Sequence, residues 1–387
     1  MTYKKNFVKN IGLLSIVWGL MFTMLTRIIS TYSTTSYAFS YQVDGFGSRM
    51  LLGSIYRALC DVFPSLYSPD GCFWFMLVLA LISAIMLTWF GVYLSRKVKN
   101  RNFDYFLAIG IFIVNVSFLG GENLGKADSF LFIINILQLF LLLKGKGEWL
   151  IPLTSILGVM THEGYLCMTA PISICLLLYK AINCREKRGY YILLSVANIF
   201  AIVLPAVYFV FLKTPGTQEM WNVAYERAAQ LNEHGWVHQT YVDQRVGFAG
   251  SQVDNDPIYK ERVIKQLPIF LITFIPILYP FFKMGIKGIK TKKTRATSLY
   301  CVLITFVLIL VEFIVFCDFG RYFVWLIFCF TLIFGYITVN NQKFKEILID
   351  AYDLNKVNKI GIVLFMLLFT PFMSSSYNLL LNILIGG

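Results

Sequence analysis

Long uninterrupted apolar runs, separated by short charged or turn-rich breaks, make up most of this chain. The runs fall near 11–29, 72–94, 104–119, 129–143, 149–161, 164–179, 190–212, 267–282, 297–317, 322–339 and 360–380. Runs approaching the ~20 residues that a helix needs to cross a bilayer predict an all-α, polytopic integral membrane protein with about 11 transmembrane segments. Outer-membrane barrel strands are excluded, because such strands alternate apolar and polar residues over about ten positions and these runs do not. The fifth and sixth runs are short and parted only by Thr161, His162, Glu163 and Gly164, which predicts either a tight hairpin or a broken element that dips back. Apolar runs recur from residue 11 to residue 385, so residues 1–387 read as one transmembrane domain with two sizeable polar loops, 30–71 and 213–266.

Charge orients the chain. Of the 34 Lys and Arg, 23 lie in the N-terminal tail and in 95–103, 144–148, 180–189, 283–296 and 340–359, which alternate with the other connections. Six of the remaining 11 sit in the long loop 213–266, and long loops contribute little to the positive-inside rule. The short-loop bias is therefore 23 to 5, which places the N-terminus in the cytoplasm and both large loops outside. Of the 21 acidic residues, 15 fall outside or near the outer face, so the ionisable groups that orientation does not explain are mostly external. Lys4, Lys5 and Lys9 before an apolar run, with Ser36-Tyr37-Ala38 beyond it, loosely resemble a signal peptide, but the run is too long, so residues 11–29 are expected to remain as the first span.

Composition agrees: of 387 residues 57% are hydrophobic and 14% charged, against about 25% charged in a soluble domain. The net charge of +13 is a topology signal, and nucleic acid is not an expected partner. Eight scattered cysteines show no metal or redox spacing, and no metal is expected.

Five polar interruptions could carry chemistry. In the first external loop, Asp44-Gly45-Phe46-Gly47-Ser48-Arg49 runs into apolar residues at helical spacing, a turn feeding a helix at the membrane surface. Asp44 and Arg49 there suit an anionic, hydroxyl-rich ligand, or simply face water. The second external loop, Gly120 to Asp128, brings Lys126 into a glycine-rich polar turn that could line a cavity or be solvated. His162 and Glu163 interrupt about 30 apolar residues, and ionisable groups at such places are costly and often mark a ligand or proton path. Glu163 is the better candidate base, and a zincin motif fails because Leu166 stands where a second histidine is needed. Asp318-Phe319-Gly320-Arg321-Tyr322 sits at the outer edge, where Arg321 needs a carboxylate such as Asp318 or a phosphate. The long loop interleaves Trp221, Tyr225, Arg227, His234, Trp236, His238, Tyr241, Asp243 and Arg245, rings for sugar faces and charges for hydroxyls or phosphates.

In chain length, span number, one long external loop and external arginines, the whole chain resembles the Wzy-type polymerases of O-antigen and capsule repeat units. Their arginine-spaced RX10G pattern is not present, since His238 and Asp256 stand eleven positions after Arg227 and Arg245. The resemblance implies a multi-pass protein of the bacterial inner membrane with its active site facing the periplasm. It implies an undecaprenyl-diphosphate-linked oligosaccharide as substrate, membrane lipids and a chain-length regulator protein as partners, and no added cofactor. Asp44 also looks like the first-loop carboxylate of the GT-C glycosyltransferases. On these resemblances Glu163, Asp44 and His162 are the expected catalytic residues, and Arg49, Arg321, Asp318, Arg245, Arg227 and Lys126 the expected substrate ligands. A lipid-linked sugar flippase would be expected to show two related halves and charges at mid-membrane. An O-acyltransferase could use His162, but its donor usually arrives from the cytoplasm.

Overall fold

A computed structural model describes residues 6–27, 30–45, 47, 49–120, 123–162, 164–211, 217–232, 234–246, 279–280, 282–291 and 319–353. Of the described residues 84% are helical, and none lies in a strand. Among the described residues five helices are long and apolar enough to cross a membrane: α1 (Phe7–Thr26), α5 (Pro69–Val98), α6 (Arg101–Leu119), α11 (Arg188–Phe211) and α15 (Phe319–Asn340). The predicted spans 129–143, 149–161 and 164–179 correspond to shorter helices, α7 (Asp128–Lys144), α8 (Ile151–Thr161) and the pair α9 (Tyr165–Met168) and α10 (Ala170–Asn183). The predicted spans 297–317 and 360–380, and 267–282 apart from residues 279, 280 and 282, lie outside the described residues.

Local signals set the boundaries. Ser68 caps α5 by accepting the Gly71 amide at 3.1 Å with Pro69 as the first helical residue, and the helix ends on Lys99 in the left-handed region. One residue later Asn100 accepts the amides of Asn102 and Phe103 and starts α6. The chain therefore reverses in two residues. Helices α6 and α15 form the centre, almost wholly buried, whereas α1 and α11 are mostly exposed and form the rim. Small residues allow the closest crossings: a Cβ at Gly12 of α1 would strike Thr88 of α5, and one at Gly110 of α6 would strike Thr331 of α15.

The break between the fifth and sixth runs resolves as a hairpin. Glu148, in a 3-10 turn just before α8, accepts from Lys180 near the end of α10 at 2.7 Å, so both limbs begin and finish together. At the tip, Tyr165 folds back against Gly158, where a Cβ would collide with its ring. Between tip and base lies a buried chain of polar groups. Gln138 of α7 donates to Thr154 and Ser155 and lies within hydrogen-bond distance of the Tyr165 hydroxyl, Ser155 donates to Asn198 of α11 at 2.7 Å, and Asn198 donates to Ser173 of α10 at 3.1 Å.

Short helices form a cap over one end of the bundle: α2 (Thr31–Tyr37), α3 (Tyr41–Asp44) and α4 (Leu51–Val62) from the first polar loop, α12 (Gln218–Ala229) and α13 (Gln239–Val246) from the long loop. They share an apolar core with α5 built on Tyr37, Phe39, Tyr56, Ala224, Ala228, Tyr241 and Val242. At the opposite end, Asn102 donates to the carbonyl of Ile349, and Lys287 of α14 (282–290) pairs with Asp350 of α16 (Gln342–Ala351).

Candidate functional site

The first loop supplies the framework of the site, because its side chains reach in three directions. Tyr37 donates to the carbonyl of Gly125 at 2.9 Å, which ties α2 to the 123–128 turn. Tyr41 donates to the carbonyl of Met160 at 3.4 Å, which ties α3 to the hairpin tip. Asp44 accepts from Arg227 Nη2, which ties α3 to the long loop. Burial pushes the Tyr41 phenol up to about 12, so it stays protonated and serves as a donor rather than a base.

The Asp44–Arg227 pair is mostly buried, with 14% and 15% of the side chains exposed. The second Asp44 oxygen accepts the backbone amide of Ser40 at 2.9 Å. On the arginine, Nε and Nη1 are buried with no hydrogen-bond acceptor. Beside this pair, Tyr67 donates to the Arg227 carbonyl at 3.3 Å, and Arg57 lies 5.4 Å over the Tyr67 ring.

Arg49 does not pair with Asp44. It hydrogen-bonds the Tyr32 hydroxyl, with its guanidinium 6.0 Å from that ring, and its backbone holds φ at 59°, a left-handed conformation costly for a residue with a Cβ. Tyr32 in turn meets His238 and Tyr241 edge-on, at 5.4 and 4.8 Å, so Arg49 and the long loop share one aromatic contact. His238 is fixed twice: its amide donates to Thr35 at 3.1 Å, and its Nδ1 accepts the Tyr241 amide at 3.2 Å. Burial lowers its pKa below the usual histidine value, which favours the neutral ring that this acceptor role requires.

At the hairpin tip, His162 is buried and its Nδ1 accepts the Gly164 amide at 2.9 Å, which leaves Nε2 as the nitrogen that carries the proton in the neutral ring. Glu163 lies outside the described residues, as do Asp318 and the side chain of Arg245. Lys126 is buried in the 123–128 turn.

Arg321 has a partner that local reading did not supply. Its Nε and Nη2 donate to the two oxygens of Asp128, both at 3.0 Å, and its guanidinium lies 4.5 Å over Trp325. Asp128 is the first residue of α7 and completely buried, where its charge also suits the helix N-terminus. A planar fork held by a carboxylate on one edge and a ring on one face is a tie between α7 and α15.

No cluster of three or more metal-ligating side chains occurs among the described residues. His234, set edge-on to the exposed Trp236, is not brought beside His238 to form one. The long loop instead stacks Trp221 on Tyr225 at 5.0 Å, and Trp221 donates to Asp243 at 2.6 Å. Thus the cap gathers Asp44, Arg49, Arg227 and Tyr32 above a hairpin tip that carries His162, with Lys126 in a turn tied to the same loop. No protein-family model matches the chain, and neither the curated proteins nor the solved structures compared with it yield a match.

Proposed function

We propose that this protein is a membrane glycosyltransferase that polymerises oligosaccharide repeat units carried on undecaprenyl diphosphate, at the periplasmic face of a bacterial inner membrane. The observation that carries this reading is the convergence made by the first loop, which draws a long aromatic loop, a lysine-bearing turn and the tip of a short hairpin together over one end of an apolar bundle. Glycosyl transfer from a lipid diphosphate asks for such an arrangement. A base removes the proton from the acceptor hydroxyl as its oxygen attacks the anomeric carbon. The bond from that carbon to the diphosphate oxygen breaks, and cations hold the departing charge. Arg49, Arg227, Arg245 and Lys126 are the cations of the proposed site. Arg321, with Asp318 near it in sequence, belongs to its rim, because Asp128 occupies the Arg321 fork. Glu163 is the proposed base, with Asp44 second and His162 as its neighbour; no added cofactor takes part.

The surface-polysaccharide pattern of a deletion strain tests the reading. Loss of the gene should replace the ladder of polymer bands with a single-repeat band, and the wild-type gene should restore the ladder. Loss of the single-repeat band as well points to a carrier-lipid flippase, and an unchanged ladder sinks the proposal. In the restored strain, Glu163→Gln should reduce polymerisation by about 10²- to 10⁴-fold at normal protein level.

A further inference from the structure

Among the charged side chains described, Arg227 has an unusual balance of partners. It is a permanent cation with five N–H donors, yet Asp44 is its only ion-pair partner among the described residues and engages Nη2 alone. Nε and Nη1 are buried away from solvent and have no acceptor. Buried donors of a charged group are normally satisfied, and those that are not identify a place where an acceptor is to be delivered. The guanidinium therefore rests on one monodentate bond, while the geometry it prefers is a bidentate grip on a planar or tetrahedral oxyanion. Asp44 is also divided, one oxygen on Arg227 and the other on the Ser40 amide.

We infer that Arg227 is a phosphate-anion receptor whose resting counter-ion is Asp44, so that an entering phosphate group takes over the guanidinium and releases Asp44 from it. The site lies on the seam where α3 meets α12, flanked by Tyr67 and, across that ring, by Arg57. Displacement changes two things together. The long loop stays anchored, now through the ligand, and Asp44 becomes a carboxylate with one oxygen free beside the bound anion. This inference rests on the proposed function for the source of the anion, a lipid-linked diphosphate, but the exchange itself requires only phosphate chemistry.

The test is binding to the purified full-length protein in nanodiscs, with Trp221 fluorescence and calorimetry as readouts, since Trp221 lies on the same helix as Arg227. One arm titrates inorganic diphosphate and the other undecaprenyl diphosphate incorporated in the disc. The wild type should bind at least one of them saturably, and binding only in the lipid arm identifies the carrier headgroup as the ligand. Arg227→Lys should weaken binding about tenfold or more, because one ammonium cannot reproduce the fork. Asp44→Asn should tighten it, by about tenfold if the unlatched state is populated about a tenth of the time, because the internal competitor has been removed. A second readout needs no variant: ligand should speed hydrogen exchange across residues 40–45 in the wild type, because α3 loses the tie that Asp44 makes to Arg227. Absence of saturable binding in both arms overturns the inference. So does binding by Asp44→Asn as weak as that of Arg227→Lys with unchanged exchange at 40–45. If binding fails while the deletion strain still loses its ladder, the latch is wrong and the polymerase reading stands. If binding follows the expected pattern while the ladder is unaffected, the reverse holds.

Discussion

The hairpin and the cap both bury polar side chains, and they satisfy them differently. In the hairpin, Gln138, Thr154, Ser155, Tyr165, Asn198 and Ser173 are joined by hydrogen bonds to one another, and at its base Glu148 receives both Lys180 and the Tyr191 hydroxyl. In the cap, Arg227 keeps two donors without acceptors and Arg49 is held in a left-handed conformation. Polar groups paired with each other inside an apolar bundle specify which helices meet. A buried group left incompletely paired, as Arg227 is, is available for a ligand. The difference separates the part that builds the shape from the part proposed to meet the substrate.

The largest effect should come from breaking the hairpin base. Glu148→Ala leaves Lys180, 13% exposed, without its carboxylate, and removing one partner of a buried pair costs about 3–5 kcal/mol. The purified variant should show a sharply lower unfolding midpoint and poor accumulation in membranes; a midpoint near wild type would mean that the base does not hold the limbs together. Next in size is Arg321→Lys, which keeps the charge but gives up one of two bonds to Asp128 and the Trp325 contact, an expected loss of about 2 kcal/mol in thermal stability. Should Arg321→Lys be fully stable yet lose lipid-diphosphate binding, Arg321 belongs with the cap cations instead.

A smaller loss, about 1 kcal/mol, is expected for Asn198→Ala, because membrane-embedded side-chain bonds are individually modest. Combined with Ser155→Ala the two losses should not add, since the residues share a hydrogen bond, and strict additivity in a double-mutant cycle would dissolve the network. The smallest effect concerns pH. Burial lowers the His238 pKa in the docked loop, so the undocked chain binds the proton more readily. Docking is therefore at full strength above the ordinary histidine value near 6.5 and weakens as pH falls from there toward the lowered value. Limited proteolysis of the long loop should be faster at pH 5.5 than at pH 7.5, and His238→Asn should remove the difference.

The helical class was legible because uninterrupted apolar runs leave few alternatives, and the helices at residues 7–26, 101–119 and 319–340 fall close to the runs that predicted them. The hairpin was legible as one of two possibilities; only the Glu148–Lys180 contact decides between them. Pairings were not legible. Asp44 and Arg227 both stood out as site residues, yet 183 positions separate them, and no periodicity links a turn to a helix in another loop. Arg321 was read against Asp318, which lies outside the described residues; the partner that the structure shows, Asp128, is 193 positions away. Gln138 and Asn198 left a faint trace as amides within apolar runs, a pattern that costs too much in hydrocarbon to be idle.

The lengths of the elements have one further consequence, for the lipid around the protein. At 1.5 Å per residue, the 30 residues of α5 measure about 45 Å, while the limbs α8 and α10, with 11 and 14 residues, measure about 17 and 21 Å. Leu153 and Leu157 of α8 are exposed, so the short side of the molecule also turns apolar surface outward. A bilayer with a hydrocarbon thickness of about 30 Å has to compress along that flank to match it, and the cost is a fraction of a kcal/mol for each ångström. In a bilayer, a protein with these element lengths would thus sit in a dimple of its own making, with the membrane thinning toward the hairpin.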